Sequence, residues 1–177
     1  MAVNQFNLNA GQRAERKLLI TVAEWNETVG TGTQAVREIL GTRTEDSSIE
    51  FNPDIETTTD IRGNNYTDMN KTQPQQSFDP YLVLGGSKLG AKLHDIMFRN
   101  AVSELNQFTM YIITAYIGDS INGYAAQKQT DCTITYDSLG GDVNVNFPIT
   151  VYFSNKSVNG TVDKLADDFT FTPDVTV

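Results

Sequence analysis

Cysteine and histidine are almost missing from this sequence. Cys132 stands alone, so the chain cannot close an internal disulfide, and synthesis in a reducing cytoplasm is expected. His94 is the lone histidine. It sits beside Asp95 on a helical stretch, where adjacent residues do not face each other, so a Ser-His-Asp triad has no support. A thiol nucleophile built from Cys132 and His94 stays open on paper, yet both residue types more often occupy structural positions.

Basic residues are also scarce: 13 Lys and Arg against 22 Asp and Glu give a formal net charge of -9 and a pI near 4.5. A protein that grips nucleic acid does so with cations that neutralise phosphates, and this balance argues against one. No apolar run approaches the ~20 residues of a membrane span, and no charged-then-apolar signal peptide opens the chain, so no membrane partner is expected. The Asn-x-Ser/Thr sequons at Asn26, Asn65, Asn70, Asn155 and Asn159 therefore read as Asn/Thr-rich β-structure instead of glycan acceptors. At 177 residues there is room for one domain with a real core and none for a second.

What the sequence does have is alternation. From Ile49 the odd positions run Ile49, Phe51, Pro53, Ile55, Thr57, Thr59, Ile61, and the even ones Glu50, Asn52, Asp54, Glu56, Thr58, Asp60. Period two predicts a half-buried strand, about 40 Å long if unbroken, with a bend or an edge at Pro53, which lacks a ladder donor. Arg62-Gly63-Asn64-Asn65 predicts a turn and Tyr66 to Thr72 a second extended run, together an oversized hairpin with one acidic face.

Elsewhere, Lys17 to Trp25 predicts a central first strand covered on both faces, and Gln34 to Leu40 a short helix. Gln73 to Pro80 is a linker. Ser87 should cap a helix over 87–105, with Leu89, Leu93, Ile96, Met97, Ala101, Val102 and Leu105 as its apolar stripe. Gln107 to Gly118 is a buried strand. A four-residue loop at Ser138-Leu139-Gly140-Gly141 would then set Tyr136 opposite Val143, Ile134 opposite Val145 and Cys132 opposite Phe147. Residues 154–167 read as polar loop, and Phe169 with Phe171 as a last short strand.

Several motifs fail on their chemistry. Gly30-Thr31-Gly32-Thr33-Gln34-Ala35 fits a dinucleotide fingerprint, but Asn26 to Val29 separate it from its strand and a long strand follows in place of alternating β and α units. Gly85 to Lys92 glances at a phosphate loop without the required Gly-Lys-Ser/Thr. Asp142-Val143-Asn144-Val145-Asn146 opens like a calcium loop, then places Phe147 where glycine is needed. Carboxylates two apart on a strand lie near the spacing of an inverting glycosidase, about 6.5 to 7 Å, but the apolar pocket and sugar-binding aromatics are missing. No enzyme, metal or cofactor is expected.

The wording SSIEFNPDIETTTDIRGNNYTDMNKTQPQQSFDPYLV (residues 47–83) resembles the major tail tube proteins of tailed bacteriophages, particularly those with long non-contractile tails. The likeness rests on Thr57-Thr58-Thr59-Asp60-Ile61 with Gly63, Tyr66-Thr67-Asp68, Asn70-Lys71-Thr72 and Gln76-Ser77-Phe78-Asp79-Pro80, followed by one helix and a run of strands. It implies an antiparallel β-sandwich or barrel with one flanking helix, residues 17–160, between an N-terminal arm (1–16) and a C-terminal segment (161–177). It further implies hexameric rings stacked into a virion tube, assembled in the host cytoplasm alongside tape measure, tail terminator and distal tail proteins, through which DNA passes without specific binding. Joined to the charge, it makes Glu50, Asp54, Glu56 and Asp60 candidates for an acidic lumen wall, with Asp131, Asp137 and Asp142 next. A small β-sandwich binding module, carbohydrate-binding or adhesin-like, is the alternative reading of the same patterning.

Overall fold

The structure, a computed structural model, describes residues 6–174 apart from 30, 45 and 155. Most of the arm's first residues, the first glycine of the dinucleotide-like loop and the sequon at Asn155 therefore lie outside the described residues. The chain is mainly antiparallel β with a single α-helix.

Strand β1 (Leu19–Val29) is buried on both faces at Val22 and Ala23, as its unbroken apolar run predicts. It pairs antiparallel with β2 (Gly32–Ile39) from Val29↔Gly32 to Val22↔Ile39. This corrects the short helix expected at 34–40. A helix that short cannot offset the cost of nucleation, whereas the β1 ladder satisfies the same backbone groups at once. Next come β3 (Ile49–Glu50), β4 (Pro53–Thr59), β5 (Asn65–Thr72) and β6 (Gln75–Phe78). The expected single strand from Ile49 is thus broken: Asn52 adopts a positive φ of 41°, which puts Glu50 and Asp54 in different sheets.

Helix α1 spans Lys88–Arg99, shorter than expected. The Ser87 hydroxyl accepts from the Gly90 amide at 3.0 Å, as an N-cap should. Asn100 in the left-handed conformation ends the helix, and a 3₁₀ turn (Val102–Asn106) carries Leu105 back to the core. Leu89, Leu93 and Ile96 are fully buried, as their stripe predicts. A residue of β2 holds the helix start in place: the Glu38 carboxylate accepts from the Lys88 and Leu89 amides (2.5 and 2.9 Å), the Ser87 hydroxyl (2.8 Å) and the Tyr81 hydroxyl (3.1 Å). A carboxylate there meets the unpaired donors and the positive end of the helix together.

β7 (Phe108–Asp119) and β8 (Gly123–Tyr136) form the central hairpin, followed by β9 (Ile149–Tyr152), β10 (Ser157–Val162) and β11 (Phe171–Pro173). The order in the large sheet is β2-β1-β7-β8-β9-β6-β3. β8 forks: Tyr124 to Gln129 carry β10, and Thr133 to Tyr136 carry β9. Between the two halves Asp131 has a φ of 57°, a kink that aims them at different partners. The sheet curls until β1 and β6 meet, where the Thr21 hydroxyl donates to Gln76 Oε1 (2.8 Å) and Gln76 Nε2 donates to the Ser47 hydroxyl (3.1 Å). α1 covers one core, with Phe78, Phe108, Ile134, Phe147 and Val151. β10, Phe169 and β11 help to close a second on the opposite face, around Val22, Tyr111 and Ile113.

Three further expectations change. Gln75 to Phe78, inside the stretch expected to be a linker, form β6, which pairs with both β3 and β9. Tyr136, Thr135, Ile134 and Thr133 pair with Ile149, Thr150, Val151 and Tyr152 instead of with residues 142–146. The stretch Ile149 to Phe153 offers β-branched and aromatic residues to the core, whereas Val143 and Val145 are exposed and Asn146 closes a local loop with Gly140. Cys132 is nevertheless buried. Residues 157–162, read as loop, form β10, which pairs with both β8 and β11. Its weak apolar alternation hides it in the sequence. The boundary drawn after residue 160 falls inside it.

Candidate assembly surface

β4 and β5 form a two-stranded sheet of their own. Asp54 lies opposite Lys71, Ile55 opposite Met69, Glu56 opposite Asp68, Thr57 opposite Thr67 and Thr58 opposite Tyr66, with a bulge at Asp54/Ile55. Every residue of β4, and all of β5 except Thr72, is exposed. The half-burial that alternation predicts is therefore absent within one chain: Ile55 is 59% exposed, Met69 64% and Phe51 63%. An isolated two-stranded hairpin is marginal in water, and Glu56 facing Asp68 places like charges directly opposite, which weakens it further.

The turn is well built. Asp60 N donates to Asn64 O (2.9 Å) and Gly63 N to Asp60 O (3.0 Å), with Gly63 at a φ of 81°. The Asp60 carboxylate accepts from the Arg62 and Asn64 amides, the Asn64 side chain and the Tyr66 hydroxyl. These bonds, those from Asn64 first, hold its carboxyl below the usual carboxylate range. These bonds fix the tip, while the side chains along both strands of the hairpin are exposed.

The acidic candidates do not share one strand. Glu50 accepts from Gln75 Nε2 (3.0 Å) at the edge of the large sheet. Asp54 and Glu56 occupy one face of the hairpin, and Asp60 organises its tip. Asp131 sits at the β8 kink and pairs with Lys156 (2.5 Å). Asp137 and Asp142 are exposed in the loop before β9. Among the described residues no three His, Cys, Asp or Glu side chains gather at metal-binding spacing. His94 is exposed and stacked on Phe98 (4.3 Å between centroids), while burial pushes the Cys132 thiol pKa up. Sequence reading missed Glu38, because its partners lie about fifty residues on, and the buried Gln76, because amides carry no periodic signal.

No protein-family profile and no curated protein matches the chain. Three solved structures are similar in fold. One is the tube-terminating cap of the anti-feeding prophage, 11% identical with a TM-score of 0.48 over 91% of this chain and 99% of that one. The second is the sheath-tube complex of an extracellular contractile injection system in its extended state, 12% identical with a TM-score of 0.46 over 86% and 95%. The third is the anti-feeding prophage baseplate, 10% identical with a TM-score of 0.42 over 89% and 100%. At these values none of the three says what this chain does.

Proposed function

We propose that this chain is a structural, non-enzymatic subunit of a phage-tail-like particle, which forms hexameric rings that stack into a tube. The β4–β5 hairpin carries this reading. It is a firmly turned element with two bare faces and unpaired edges, and it gains stability only when another chain covers it. The wording of residues 47–83, which contains the whole hairpin, supports the same reading. Tape measure, tail terminator and distal tail proteins are the partners such a tube would meet. DNA would pass along its lumen, past a wall to which Glu50, Asp54 and Glu56 supply free charge, with Asp137 and Asp142 next. Asp131 contributes less there because Lys156 pairs with its carboxylate, whereas Asp60 keeps its charge at the hairpin tip.

Negative-stain microscopy of the concentrated protein tests the proposal. Rings or tubes are expected from the native chain. A variant with residues 53–72 replaced by a short linker should stay folded and single. A native chain that remains monomeric at high concentration overturns the reading.

A further inference from the structure

Four large apolar side chains lie exposed on one patch beside β9: Val83 (49%), Leu139 (42%), Val143 (87%) and Val145 (51%). The loop before β9 gathers them. Val83 N donates to Val145 O (3.0 Å), Gly140 and Asn146 exchange backbone hydrogen bonds across the loop, and the Asn146 side chain donates to Asp79 Oδ1 (3.1 Å). Exposed apolar groups collected within a polar rim mark a contact site. Here the rim is purely acidic. Residues 72–87 and 129–155, which supply the patch, contain no Lys or Arg, and Asp79, Asp137 and Asp142 stand among its apolar residues. Among the described residues neither Asp137 nor Asp142 has an ion-pair partner.

A matching partner presents an apolar knob beside a cation, and this chain carries one. At the tip of the β4–β5 hairpin Ile61 is fully exposed, and Arg62 next to it is exposed and has no ion-pair partner among the described residues. The Asp60 turn holds both in place through the Arg62 and Asn64 amides, so little ordering cost remains on contact. Phe98 and Val102, exposed at the end of α1, suit Arg62 less, because Asp95 and Glu104 beside them already pair with Arg99 and Lys92. We propose that the hairpin tip of one copy docks on this acidic, apolar patch of another, with Ile61 against Val83, Val143 and Val145 and the Arg62 guanidinium on Asp142 and Asp137. The two surfaces differ, so the contact runs head to tail and repeats from copy to copy instead of closing a two-fold dimer. A two-residue knob covers far less than the ~1,000 Å² of a lasting pair. It therefore acts as one anchor in a contact multiplied by repetition. The proposal rests on the assembly reading and names the surface that receives the hairpin. Asp142 then serves the joint, which leaves the lumen wall to Glu50, Asp54 and Glu56.

Cysteine cross-linking tests the contact, because Cys132 is buried and does not compete. Chains carrying Ile61→Cys and chains carrying Val143→Cys, mixed, assembled and treated with a short bismaleimide, should join as mixed dimers. Ile121→Cys, on the similarly exposed tip between β7 and β8, should not join Val143→Cys. Charge reversal gives a second measure. Arg62→Asp and Asp142→Arg should each raise the concentration needed for rings or tubes at least about tenfold, and both changes in one chain should recover most of that loss. Both side chains are exposed, so the variants should fold; if either does not, the cross-link alone decides. Equal joining from positions 61 and 121, or no recovery in the folded double variant, overturns the proposal. Assembled protein without the 61–143 link overturns it while the assembly reading stands. A native chain that forms neither rings nor tubes overturns both.

Discussion

Glu38 joins three parts of the chain through one carboxylate: β2, the segment around Tyr81, and the first turn of α1. Glu38→Ala would leave two helix amides and two hydroxyls without their acceptor. We expect it to lower stability by about 2 kcal/mol, read as a fall in the urea midpoint, and Glu38→Gln to cost less. An unchanged midpoint would show that the apolar stripe alone seats the helix. Cys132 behaves differently, because its environment is apolar and closed. It is fully buried, its Sγ lies 3.5 Å from the Gln129 carbonyl, and burial raises its pKa, so little thiolate forms at neutral pH. A bulky thiol reagent should label it only on unfolding. Fast labelling of the native chain would contradict the packing of Cys132 against β7 and β9.

Among the elements, the β4–β5 hairpin is the least self-sufficient. Its hydrogen bonds join only its own two strands, and its exposed Ile55 and Met69 face each other with nothing over them. Such a hairpin opens easily in a single chain. Hydrogen exchange should therefore be fast across residues 53–72 in the monomer and slow by at least about tenfold in assembled rings or tubes. Equal exchange in both states would mean that the hairpin is not an interface. By contrast, β7 has ladder partners on both sides, β1 and β8, and side chains packed on both faces. It should be the last element to exchange.

Charge acts on the whole molecule. A net charge of -9 disfavours phosphate contacts over most of the surface, and screening confines each carboxylate's reach to about 8 to 10 Å at physiological salt. Repulsion of that range suffices to keep DNA from sticking to a wall. Glu50→Lys, Asp54→Lys and Glu56→Lys together leave the Asp60 turn intact and should preserve folding. In tails carrying the triple variant, DNA ejection should become slow and salt-dependent. Ejection at the native rate in low salt would place these three carboxylates away from the lumen.

The sequence alone determined what depends on neighbours along the chain. Unbroken apolar runs located β1 and β7, alternation located the β4–β5 hairpin, the i, i+3, i+4 stripe located α1, and Ser87 marked its start, because strand and helix periods and caps are local chemistry. The mainly antiparallel β fold with one helix followed from those elements. The tertiary structure decided the pairings. Gln34 to Leu40 became a strand because β1 was there to receive it, and Ile134 chose Val151 over Val145 because Ile149, Val151 and Phe153 bury apolar surface in the core. Alternation in Ile49 to Ile61 implied a covered face, but Ile49 packs against the core while every residue from Phe51 to Thr59 is exposed. The period specifies which side chains share a face, but what lies over that face is set by contacts made far along the chain or with another molecule.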